Sequence, residues 1–200
     1  VRANPFDRDA RVLLAMTYYS LQQYFAEEKN YARATQILER LTRIEKGEHD
    51  LYRLLGENYL GMKSFEQALL NFRKGQAVLI QTSFDAKPDT SKLFYYTYMQ
   101  GDVYARLYNG PGAIKSFRLA KQYARSEQER LDADNYLKWI DWDGGNIYAS
   151  EMWDEVLKLE GSKDYKGVEK LCGKLAPKLR TRKAKMAVHH KLAVVEFEYT

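Results

Sequence analysis

Cysteine occurs once in this chain, at Cys172, so no internal disulfide is available and packing alone has to hold the fold. A lone thiol suits the cytoplasm, the compartment expected here, and leaves the periplasm open. Proline occurs only four times, too rarely for a Pro-rich linker or for breaking up long helices. No apolar run approaches the length of a bilayer span, and no secretory signal opens the chain. A Gly-rich phosphate loop is also missing. Two of the three histidines are adjacent, His189 and His190, and adjacent helical positions point apart, with no nearby Cys or acid completing a ligand spacing. The run Asp141-Trp142-Asp143-Gly144-Gly145-Asn146 starts like a calcium loop, but Met152 stands at the twelfth place, where a closing Glu belongs, so it reads as a helix-ending turn. Catalytic residues, a metal site and a cofactor are therefore not expected, and Cys172 is expected to be a buried packing residue.

What the chain does have is internal repetition. Leu21, Phe25, Tyr31, Ala34 and Leu38 recur 34 residues later as Leu55, Tyr59, Phe65, Ala68 and Phe72. Gly56, Tyr59, Ala68, Phe72 and Gly75 recur again, 45 residues on, as Gly101, Tyr104, Ala113, Phe117 and Ala120. The eleven extra residues fall near 84–91, where Pro88 and the Asp89, Thr90, Ser91 cluster predict a loop and a new helix start. A fainter copy begins near Ala149: Leu159, Tyr165, Val168, Cys172 and Leu175 parallel Tyr59, Phe65, Ala68, Phe72 and Gly75, although Glu155 and Val156 replace the Leu-Gly pair. With 45% hydrophobic and 30% charged residues, the chain can bury a core and is not of a disordered class.

The second copy, Tyr52-x2-Leu55-Gly56-x2-Tyr59 followed by Ala68-x3-Phe72, resembles the tetratricopeptide repeat (TPR). The resemblance implies an all-α fold: antiparallel helix pairs stacked into a superhelix (an α-α solenoid) of about four repeats, with an irregular C-terminal part. The repeats are expected near 15–48, 49–82, 94–127 and 149–182, in one domain covering 1–200. Between the last two, Ser126-x-x-Glu129 can act as a capping box for an unmatched helix at 127–142, and a capping helix is expected at 182–199. Small residues at Gly56, Gly101, Ala68 and Ala113 let two backbones approach, and one repeat buries its apolar stripe only against the next. Asn4-Pro5-Phe6-Asp7 resembles a junction between repeats, so further repeats are expected before Val1, in keeping with a piece of a longer or processed protein.

The resemblance also implies a concave groove that holds a peptide or helix of a partner protein. Its usual inner-face offsets fall on Tyr19, Gln23, Arg53, Glu57, Tyr95, Tyr98, Asp102 and Arg106. Aromatic rings and arginine are effective interface anchors; the competing reading is a solvated face with incidental tyrosines. The carboxylate clamp of chaperone-binding relatives is not matched, because Glu57 and Asp102 would repel a carboxylate. A second signal is charge: residues 166–191 hold nine basic residues and one acid, a net +8 within a chain of net +5. The expected function is a non-catalytic interaction scaffold or adaptor. The alternative is a scaffold whose basic end, with Lys178, Arg180, Arg182, Lys183 and Lys185, docks an acidic protein or nucleic acid.

Overall fold

The structure, a computed structural model, describes residues 20–21, 23–25, 30–45, 47–83 and 87–199. Tyr19 and the segment 1–18 lie outside the described residues. The described residues are helical, with no strand among them: α1 (Tyr31–Ile44), α2 (His49–Gly61), α3 (Phe65–Thr82), α4 (Thr90–Arg106), α5 (Gly110–Tyr123), α6 (Glu127–Ile140), α7 (Ile147–Gly161), α8 (Tyr165–Leu175) and α9 (Arg182–Tyr199). None is long and apolar enough to cross a membrane. The chain divides into two compact units, Val1–Val103 and Tyr104–Thr200, with the division near the C-terminal end of α4.

One turn recurs in both units. The backbone N–H of Asn30, Ser64, Asn109 and Asp164 each donates to the carbonyl five residues earlier, on Phe25, Tyr59, Tyr104 and Leu159, at 2.7 to 2.9 Å. The residue before three of these donors, Lys63, Tyr108 and Lys163, adopts a left-handed backbone with φ of 59°, 54° and 63°. This is the wrapped helix ending that satisfies the last carbonyls and reverses the chain within three residues. The donor residue then caps the next helix: the side chains of Asn30, Asn109 and Asp164 accept from the N–H three positions on. At these turns a polar cap, a left-handed residue or both thus set the helix boundary locally.

In the first unit, Leu38 and Leu41 of α1 pack against Leu51 and Leu55 of α2, with Tyr52, Leu54 and Tyr59 around them. On α3, Ala68, Phe72 and Gly75 all face inward and are buried. The Phe72 ring lies over the α-carbon of Gly56, and the Tyr96 ring lies over Gly75 in the same way. In the second unit, Ala113, Phe117 and Ala120 of α5 are buried, and the Phe117 ring stacks on Tyr136 of α6 with centroids 4.9 Å apart. Helix α6 opens on the complete Ser126–Glu129 capping box. The core of α7 to α9 is built from Ala149, Val156, Val168, Cys172, Leu175, Ala184 and Val188. Cys172 is fully buried and unpaired, and burial pushes its thiol pKa up.

The turn at 141–146 is a structural joint. Its two glycines are left-handed, with φ of 63° at Gly144 and 82° at Gly145. Asp143 is fully buried, and its carboxylate accepts from the backbone N–H groups of Arg180 (2.9 Å) and Thr181 (2.7 Å) and from the Asn146 amide (2.9 Å). Burial alone would push its pKa up, but these donors outweigh it and hold the group below its ordinary value. The oxygens that a calcium reading would use are thereby committed to tying the start of α9 to the end of α6.

Candidate functional site

Helices α2 and α4 lie side by side in the first unit, joined by polar contacts. Tyr96 Oη donates to the His49 carbonyl at 2.8 Å and lies 3.2 Å from His49 Nδ1, while Lys92 Nζ lies 3.0 Å from His49 Nε2. Lys92 can only donate, so His49 Nε2 is the acceptor in that contact. One turn further along α2, Arg53 Nε donates to Asp50 Oδ1 at 3.0 Å and Nη1 to Glu57 Oε1 at 2.7 Å. Tyr95 Oη reaches across from α4 and donates to the same Glu57 oxygen at 2.5 Å.

These partners move the titrations apart. Burial disfavours the Arg53 cation, yet the hydrogen bond to Asp50 and the Glu57 carboxylate outweigh it and raise its pKa. Burial raises the Tyr95 phenol well above its ordinary value, and its bond to Glu57 adds to this; burial also raises Tyr96. Asp50 would be raised by burial but is held below its ordinary value by Arg53 and neighbouring positive charge. The side chains border a cavity of about 210 Å³ lined by His49, Asp50, Arg53, Ser91, Lys92, Tyr95 and Tyr96. Glu48, His49 and Asp50 bring ligand-type atoms within 4.8 Å of one another. A metal fits poorly there, because both His49 nitrogens and an Asp50 oxygen already have partners within the protein.

Of the residues singled out from the sequence, Arg53, Glu57 and Tyr95 meet in one network. Tyr98, with its ring 5.5 Å from that of Phe94, and Asp102 are half-buried further along α4. Gln23 is exposed, Tyr19 lies outside the described residues, and Arg106 is exposed beyond the division, in the second unit. His49, Asp50, Lys92 and Tyr96 were missed. The offset rule selects positions three and four apart on each first helix; His49, Asp50 and Lys92 lie one turn earlier, and Tyr96 lies next to Tyr95 on the buried side of α4. Lys178, Arg180, Arg182, Lys183 and Lys185 are all exposed, and Lys178 Nζ sits 4.7 Å above the Tyr148 ring. No protein-family model matches this chain, and neither a curated protein nor a solved structure shows significant similarity to it.

Proposed function

We propose that this chain is an interaction scaffold of the TPR type, a non-catalytic adaptor whose first helices present a peptide- or helix-binding face. The observation that carries this reading is the turn that recurs after Phe25, Tyr59, Tyr104 and Leu159, each time followed by a helix whose aligned residue, Ala34, Ala68, Ala113 or Val168, is fully buried. An ordinary bundle has no reason to reuse one turn at aligned positions, whereas a repeat array must. In the first unit, neighbouring first helices α2 and α4 share a half-buried surface of Arg53, Glu57, Tyr95 and Tyr98. The Arg53–Glu57–Tyr95 network holds these side chains in one arrangement before a partner arrives, which lowers the entropy cost of binding.

Crosslinking capture from the native source, comparing the wild-type chain with the Arg53→Ala, Tyr98→Ala double variant, tests this reading. Partners that survive about 0.3 M salt and disappear with the double variant are expected. Unchanged capture by a folded double variant sinks it. The exposed basic run on α8 and α9 favours a second reading, docking of an acidic protein or nucleic acid. That contact should weaken by orders of magnitude over the same salt range and vanish when Arg180, Arg182 and Lys183 are neutralised.

A further inference from the structure

All three tryptophans of the chain meet at one place in the second unit. Trp139 lies in the last turn of α6, Trp142 on the turn that follows, and Trp153 midway along α7. Trp142 and Trp153 stack with centroids 5.0 Å and planes 18° apart, and they pack against the core of α7 to α9. Trp139 Nε1 donates to Asp154 Oδ2 at 2.6 Å, and Ser150 Oγ donates to the Trp139 carbonyl at 2.7 Å, which fixes the third ring. Beside them opens a cavity of about 310 Å³, whose other walls are Asn135, Lys138 and Ser150.

Each indole is only half-buried, and all three contribute to the cavity's lining. An indole face carries negative potential and attracts cations, tryptophan more strongly than the other aromatic residues. The hydrogen bond from Trp139 to a carboxylate makes that ring more electron-rich. Among the described residues, the one carboxylate bonded to a lining residue is Asp154, through Trp139 Nε1. We propose that this cavity binds an alkylated ammonium group, such as the head of a choline-like molecule or a methylated lysine side chain. Three indoles supply the cation–π surface, Asp154 supplies the adjacent carboxylate, and a bulky, weakly hydrated cation gives up little hydration on entering. Lys138 is exposed at the rim and opposes a bound cation, so its charge limits the affinity.

Because tryptophan occurs nowhere else in the chain, its intrinsic fluorescence reports on this cavity alone. The full chain is titrated with choline chloride at constant ionic strength, in parallel with the neutral isostere in which carbon replaces nitrogen. A saturable change with choline, and binding at least about tenfold weaker for the isostere, is expected. Asp154→Asn should weaken choline several-fold, whereas Lys138→Gln, on an exposed side chain, should tighten it. A short peptide carrying trimethyllysine separates the two sources. Tighter binding than choline points to a partner's side chain, and equal or weaker binding points to a free small molecule. No saturable response to either probe, equal response to the isostere, or weaker binding by Lys138→Gln overturns the proposal.

Discussion

The Phe72 ring lies so close to Gly56 that a Cβ built on the glycine would fall 2.6 Å from the ring's Cε1. The aromatic side chain of α3 therefore occupies the space that any larger residue on α2 would need. Gly75 has the same relation to Tyr96, again with a nearest approach of 2.6 Å.

Gly56→Ala is accordingly expected to destabilise the first unit by about 1–3 kcal/mol, since the buried Phe72 ring has nowhere to retreat. Urea unfolding followed by circular dichroism checks this. Gly161→Ala is the control: nothing lies within 4 Å of a Cβ there, so its midpoint should stay the same or rise.

Asp143→Ala should cost about 1–3 kcal/mol, because it leaves the part-buried N–H groups of Arg180 and Thr181 without their charged acceptor. The folded pKa of Asp143 is depressed, so its contribution is present above the unfolded carboxylate value, near pH 4, and is lost as pH falls through the folded value. Thermal unfolding between pH 6 and pH 2 should show a drop in stability that Asp143→Asn flattens.

Tyr95 and Tyr96 work at the other end of the pH scale. Their folded pKa values are raised, so their contribution is complete below the unfolded phenol value, near pH 10, and is lost as pH rises from there toward the folded values. Stability should therefore decline above about pH 10, and Tyr95→Phe should reduce the slope. Phenolate absorbance recorded during an alkaline titration gives the direct readout, with these two phenols ionising only as the first unit unfolds.

Lys163 holds a left-handed backbone, φ 63°, at an exposed helix end where glycine is the preferred residue. Lys163→Gly should raise stability by about 0.5–1 kcal/mol by removing the Cβ clash. An unchanged or lowered thermal midpoint would contradict this account of the turn.

Cys172 is completely buried, and its thiol is pushed away from the reactive thiolate form. Reaction with a thiol reagent should be slow in the native chain and rapid in denaturant. Fast labelling of the folded protein would show that the α7 to α9 core opens readily.

What was legible in the sequence was local. Helix stop and start signals, the Ser126–Glu129 box, the Gly144-Gly145 turn and the small-against-aromatic spacing act within a few residues, so the helical class and the buried Cys172 could be read from the chain. Arg53, Glu57 and Tyr95 could be named as a set of polar positions, but not as partners, because the phenol that binds Glu57 comes from 38 positions away. The same applies to Asp143, whose carboxylate accepts from backbone N–H groups 37 and 38 positions on, and which by spacing alone reads only as part of a helix-ending turn. The tryptophan cavity had no periodic signature at all. A repeat pattern records which residues must be small or apolar for neighbouring helices to nest, and that requirement is written along the chain. Which charges pair, and which rings gather around an open space, depends on directions in three dimensions that only the packed helices decide.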